Sequence, residues 1–163
     1  MKTLYILRHA ESSWAERDIS DFERPLNERG LAAAPFMGEL MADRGIVPGV
    51  ILSSPARRAK ETAALLRKSG RFEVPIYFDD RIYEASPQHL LMVLAKINDR
   101  FNSAMLVGHN PGVEGLIRFL TGKLEPMSTA ALAIVDLDID SWERVASANG
   151  RVREIIRPRA EMV

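Results

Sequence analysis

The sequence predicts an α/β fold: a three-layer sandwich with a mainly parallel sheet flanked by helices and an antiparallel C-terminal edge. Three observations carry that expectation. Short apolar runs alternate along the chain with stretches of helical periodicity, the pattern of βα units. The runs are continuous rather than alternating, as strands covered on both faces require. Several of them lead quickly into a Ser-Pro or Asn-Pro pair, residue types that open helices. Right-handed crossovers between parallel strands then place helices on both faces.

Leu4-Tyr5-Ile6-Leu7 reads as the first strand, stopped by Arg8-His9-Ala10-Glu11-Ser12. A long polar connection follows from Glu11 to Pro25, with Trp14 and Phe22 as its anchors, and connections of that length usually carry function or are disordered. Leu31, Ala34, Met37, Leu40 and Met41 recur at helical spacing, with Asn27 as N-cap and Gly45 as stop. Pro35 lies inside that helix and is expected to kink it. Val50 to Ser53 is the second strand. Ser54-Pro55 opens a helix that carries Ala59, Ala63 and Leu66 on one face and Arg57 and Arg58 in its first turn. Pro75 to Phe78 is the third strand, Asp79 to Glu84 a connection, and Ser86-Pro87 the start of a helix with Leu90, Leu91, Leu94 and Ile97 inward. Ala104 to Gly108 is the fourth strand. After His109, Asn110 is expected to cap and Pro111 to begin the helix of Leu116, Ile117 and Leu120. Ala131 to Ile139 reads as a strand, Asn149-Gly150 as a tight hairpin-like turn, and Arg151 to Arg157 as its return. Asp136, Asp138 and Asp140 resemble the start of a calcium loop. Ser141 stands where that loop needs glycine and Ser147 where it needs glutamate, so a half-exposed strand is the better reading.

At 163 residues the chain fits one domain, 1–163, large enough to fold without staples. It contains no cysteine, which excludes a disulfide framework and thiolate zinc sites. Its 22 basic and 22 acidic residues balance, removing the sequence-wide electrostatic case for nucleic acid or an anionic membrane. Arg8 interrupts the N-terminal apolar run too early for a signal sequence, and no stretch is long enough to span a membrane, so a cytoplasmic location is expected.

Parallel strands point one way, so the residues just past their ends gather on one rim: Arg8, His9, Arg58, Glu84 and His109. Helices starting there aim free N–H groups into the same space, which suits a phosphoryl ligand. A neutral imidazole is a competent nucleophile at neutral pH, guanidiniums bind phosphate oxygens in forked geometry, and a carboxylic acid can protonate a leaving atom. Zinc is the rival reading of His9 and His109, but one carboxylate completes too small a ligand set beside repelling arginines. His89, in the first turn of a surface helix, reads as solvated. The helix start disfavours a cation at His109, whereas bound phosphate favours one.

Leu7-Arg8-His9-Ala10-Glu11-Ser12, Ser53-Ser54-Pro55-Ala56-Arg57-Arg58-Ala59-Lys60-Glu61-Thr62-Ala63 and Val107-Gly108-His109-Asn110-Pro111 together resemble the histidine phosphatase superfamily, the phosphoglycerate-mutase-like proteins. The length and Ser12-Ser13-Trp14 look most like its phosphohistidine phosphatase branch. The resemblance implies that His9 is the phosphorylated nucleophile, that Arg8, Arg58 and His109 complete the phosphate pocket, and that Glu84 is the proton donor. Arg58 is preferred to Arg57 because the family arginine directly precedes an alanine. Ser12 and Arg57 are accessory candidates, and Glu11 and Asp18 are alternative acids. Ala10 stands where the family usually has glycine. No large cap insertion has room beyond Glu11 to Pro25, so the pocket is expected to be open and to take a phosphohistidine-bearing protein or a small phosphoester, with no metal and no cofactor. An imidazole leaves more readily than an alkoxide, so Glu84 should matter more for esters. The competing readings are a small-molecule phosphomonoesterase, a phosphomutase and a non-catalytic phosphate-binding module.

Overall fold

A computed structural model describes residues 1–162. One six-stranded sheet runs in the order β3-β2-β4-β1-β5-β6, with β1 (Lys2–Arg8), β2 (Ile51–Ser53), β3 (Ile76–Phe78), β4 (Ser103–Gly108), β5 (Leu132–Leu137) and β6 (Gly150–Ile156). The first four strands are mutually parallel. β5 runs antiparallel along the free edge of β1, and β6 pairs antiparallel with β5. The mixed sheet therefore keeps β1 central and puts the antiparallel pair on one side, as the sequence predicts.

Because successive strand residues face opposite ways, β1 serves two cores. Leu4 and Ile6 join the cluster of Leu90, Leu94, Leu106, Leu116 and Trp142, whereas Tyr5 and Leu7 join Met37, Met41, Leu66 and Met105. Helices α1 (Glu28–Asp43) and α2 (Arg57–Gly70) cover the second face, and α3 (Pro87–Leu94) and α4 (Gly112–Thr121) belong to the first. Leu4, Ile6 and Leu7 are fully buried, each contributing about 1.5–3 kcal/mol by removal from water. A short helix α5 (Pro158–Glu161) follows β6.

Several local expectations hold at atomic detail. Asn27 caps α1 by accepting from the Gly30 N–H at 2.9 Å, and Ser86 caps α3 by accepting from His89 N–H. Gly45, just past α1, takes φ +69°, the left-handed conformation that a helix stop needs. His89 is exposed.

Pro35 sits within α1, which runs on through it to Asp43, and its carbonyl accepts the Ser69 hydroxyl of α2 at 2.7 Å. Other expectations are corrected. Leu31 points away from the core, half exposed. α2 starts at Arg57 rather than Pro55, and α4 at Gly112 rather than Pro111. Asn110 does not cap α4; its amide is committed to Glu114 and to the Met127 carbonyl. The C-terminal pair is not a tight hairpin, because β5 ends at Leu137 and residues 138–149 form a connection containing the 3-10 turn Trp142–Ser147. The turn is drawn inward by Trp142, whose indole is fully buried and donates to the Phe101 carbonyl at 2.8 Å. Asp136 is thus the only one of the three aspartates in the strand. It is buried against Arg153, which donates to it at 3.0 Å, while Asp138 accepts from Asn149 and Asp140 faces the N-terminus.

Candidate active site

The C-terminal end of β1 carries Arg8 and His9, and both are held by backbone. His9 N–H donates to Gly108 O of β4 at 3.0 Å, and Ala130 N–H donates to Arg8 O at 3.0 Å. His9 is only 6% exposed. Its Nδ1 lies 2.7 Å from the Ala10 carbonyl, an acceptor only, so Nδ1 carries the proton and Nε2 keeps a free lone pair. Ala10, where glycine is usual, is fully buried, and its N–H donates to Thr62 Oγ1 at 3.0 Å. Thr62 Oγ1 in turn donates to Arg58 O at 2.7 Å. One threonine of α2 therefore connects the two motifs.

The rings of His9 and His109 stand 4.9 Å apart between centroids. Ser54 fixes the second ring: its Oγ accepts the Ala56 N–H at 3.2 Å and lies 2.7 Å from His109 Nε2. The hydroxyl proton has no other acceptor among the described residues, so it is donated to Nε2, and the neutral ring carries its own proton on Nδ1. Among the described residues that Nδ1 is buried without a partner, as are Arg8 Nε and Arg58 Nε. Three N–H donors beside a nucleophilic nitrogen await an acceptor, since unsatisfied buried donors are costly. Arg8 is braced by the Met127 carbonyl at 3.0 Å, which Asn110 also reaches, while Glu114 accepts from Met127 N–H.

Burial holds both imidazoles neutral. His9 is lowered to about 4 by desolvation, aided by the Arg58, Arg8 and Arg24 cations against the opposing Ala10 hydrogen bond, and His109 to about 3 by desolvation, His9 and Arg58. An unfolded histidine protonates near 6.5, so as the pH falls from there to about 4 the unfolded chain binds protons that the fold refuses. Stability is therefore full above about pH 6.5 and falls with pH below it. Asp21 and Glu11, both held near 2, lose their contribution as the pH falls from the ordinary carboxylate range to about 2. The melting temperature at pH 5 is expected to lie below that at pH 7.5, with His9→Ala narrowing the gap; equal values would refute this account.

Arg58 is buried, whereas Arg57 is exposed and faces Glu61 at 3.6 Å. Ser12 lies outside the pocket and accepts from Arg24 at 3.0 Å. Glu11 is bound by Arg29, whose Nε is 3.0 Å from both carboxylate oxygens, and lines another cavity with Arg8, Arg29, Pro158 and Arg159. Asp18 is exposed and makes no hydrogen bond or ion pair among the described residues. Glu84 lines a cavity of about 390 Å³ with Arg58, His109, Tyr83 and Ser86, at a positive φ of 52° that glutamate rarely adopts.

Sequence reasoning missed four residues of this site. Ser54 was read only as a helix cap. Asp21 and Arg24 lie in the long polar connection, where no periodicity ranks one side chain above another. Tyr83 was passed over for its neighbour Glu84; its ring meets His109 edge-on at 5.7 Å and Phe22 at 5.2 Å.

The family described as the histidine phosphatase superfamily (branch 1) matches residues 4–110, which contain both strand-end histidines together with Arg8 and Arg58. The chain belongs to the histidine phosphatase superfamily. An uncharacterized chloroplastic protein of Arabidopsis thaliana is 29% identical over 158 residues, spanning 91% of this chain and 72% of that one. The crystal structure of the putative phosphohistidine phosphatase SixA from Agrobacterium tumefaciens superposes with a TM-score of 0.84 at 30% identity, covering 96% of this chain and 98% of its own. A protein histidine phosphatase SixA complexed with tungstate has the same fold at 22% identity, TM-score 0.83, covering 98% and 99%. Superfamily membership and the SixA likeness support a phosphatase. Among the described residues, no helix of this histidine phosphatase is long and apolar enough to cross a membrane.

Proposed function

We propose that the chain is a metal-independent cytoplasmic phosphatase whose favoured substrate is phosphohistidine on a protein surface. The observation that carries this reading is the pairing of one free imidazole lone pair, His9 Nε2, with three unpartnered donors on Arg8, Arg58 and His109. His9 Nε2 attacks phosphorus and the bond to the leaving atom breaks. The phosphoryl oxygens take the three waiting N–H groups, and the guanidiniums stabilise charge without changing protonation state. Water then attacks the phospho-His9 intermediate and releases inorganic phosphate, returning the neutral ring. A binding module would not need the lone pair, and a phosphomutase would need the intermediate shielded from water. The SixA-like structure complexed with tungstate, a tetrahedral oxyanion, supports the same assignment here.

Glu84 favours a second reading, a small-molecule phosphomonoesterase, because it lines the same cavity and could protonate an alkoxide. The two readings part in an assay of a phosphohistidine protein, a phosphohistidine peptide and an aryl phosphate with wild type and Glu84→Gln. Faster turnover of the phosphohistidine substrates, with Glu84→Gln slowing the aryl ester by about tenfold or more and the others little, is expected. Preference for the ester together with an essential Glu84 would overturn the phosphohistidine assignment.

A further inference from the structure

Asp21 has no part in the chemistry above, yet the long connection from Glu11 to Pro25 delivers it directly to the pocket. Its backbone oxygen accepts from Arg58 Nη1 at 2.6 Å and its Oδ2 from Arg58 Nη2 at 3.0 Å. The Tyr83 hydroxyl donates to Oδ2 at 2.7 Å, and Arg24 Nε to Oδ1 at 3.1 Å. Asp21 thus takes the Nη end of the guanidinium and leaves Nε without a partner. Its side chain remains about half exposed and lines the cavity with Tyr83, Glu84, Ser86 and His109. In-line displacement puts the leaving atom on the side of phosphorus away from His9, outward from that buried ring. A leaving group held in the cavity beside Arg58 and His109 shares it with the Asp21 carboxylate.

We propose that Asp21 sets the substrate class: its carboxylate accepts a hydrogen bond from the free ring N–H of a bound phosphohistidine and holds that ring in the protonated form that can leave. This rests on the phosphohistidine reading above. In the protonated ring one nitrogen is bonded to phosphorus and the other carries a proton. When His9 Nε2 bonds to phosphorus, the P–N bond breaks, its electron pair returns to the ring nitrogen, and a neutral imidazole departs with its proton already in place. No proton moves in the step. An unprotonated ring would have to leave as an anion, so occupancy of the protonated form limits the rate at alkaline pH. A phosphoester has no such ring proton and gains nothing from an anion.

The groups around Asp21 agree with an acceptor rather than an acid. Burial opposes its ionisation, but hydrogen bonds from Tyr83, Arg58 and Arg24 and the Arg58 charge outweigh it and hold the carboxyl at about 2. Arg24 faces it from its own loop, Arg58 from α2 and Tyr83 from the connection before α3, with Glu84 and His109 across the cavity. The Tyr83 phenol is pushed up to about 12 by burial and by Asp21, so it stays a donor to the carboxylate.

The test is the pH dependence of kcat on a phosphohistidine peptide and on p-nitrophenyl phosphate, with wild type, Asp21→Asn and the conservative Asp21→Glu. Asparagine keeps an oxygen for Arg58 and Tyr83 and removes the charge. Expected for Asp21→Asn is an alkaline limb moved about one pH unit lower on the peptide, a roughly tenfold loss of kcat at pH 8, an aryl phosphate rate within about threefold, and recovery with Asp21→Glu. An equal fall on both substrates would mark Asp21 as a structural or proton-donating residue. An equal rise would mark it as a plug on Arg58. Either overturns the proposal, as does an unmoved limb with wild-type peptide turnover. Wild type that leaves the peptide intact overturns the phosphohistidine reading and this inference with it.

Discussion

His9→Ala is expected to abolish turnover of every phosphorylated substrate, by on the order of 10⁴-fold or more, while the protein stays folded. The size follows from the role: no other imidazole nitrogen in the pocket offers a free lone pair, because the proton of His109 sits on Nδ1 and its Nε2 is engaged by Ser54. The fold should survive because the strand is held by its ladder to β4 and β5 and by Leu4, Ile6 and Leu7, not by the imidazole. The check is paired: acid-labile phosphorus-31 or radiolabel on the wild-type protein during turnover and none on the variant, with unchanged circular dichroism. A variant retaining a tenth of the activity would remove His9 from the chemistry.

Arg58→Ala is expected to cost about 10²–10³-fold in kcat/KM, with inorganic phosphate binding weakened in parallel, whereas Arg57→Ala should stay within about threefold. The two arginines are adjacent and differ in environment alone. Arg58 is buried with a free Nε and lies against Asp21, while Arg57 faces solvent beside Glu61. Arg58→Lys should recover little, since an ammonium cannot reproduce the fork that meets both Asp21 and a phosphoryl oxygen. Similar losses from Arg57→Ala and Arg58→Ala would mean that the pocket reads general positive charge. Competition titrations with phosphate for both variants decide the point.

The features legible in the sequence were those set by short-range rules. Strand ends are marked by abrupt changes from apolar to charged residues, so the sequence puts Arg8, His9 and His109 on one rim, and Asn27 and Ser86 announce their helices by capping chemistry. What stayed hidden depends on contacts distant in sequence. α2 and α4 start later than their Ser-Pro and Asn-Pro pairs, and Ser54 reaches His109 as well as the Ala56 N–H while Asn110 is held by Met127 and Glu114, contacts that no local pattern records. The expected hairpin failed because Trp142 found a buried berth against Phe101, which a turn signal at Asn149-Gly150 cannot reveal. Asp21 and Tyr83 meet only when two polar connections fold over α2, and neither carries periodicity.

Thr62 gives the pocket a property of a different kind. Its single oxygen accepts from the Ala10 N–H, next to the nucleophile, and donates to the carbonyl of the buried Arg58, so the gap between attacking ring and anion clamp is gauged by two hydrogen bonds of 3.0 and 2.7 Å. The tolerance on that gap is set inside the scaffold. The outer wall comes from a different stretch of chain, the connection that holds Asp21, which meets the clamp at the Nη end of Arg58. Spacing is thus set from inside the scaffold, while the face shown to the leaving group is set from outside it.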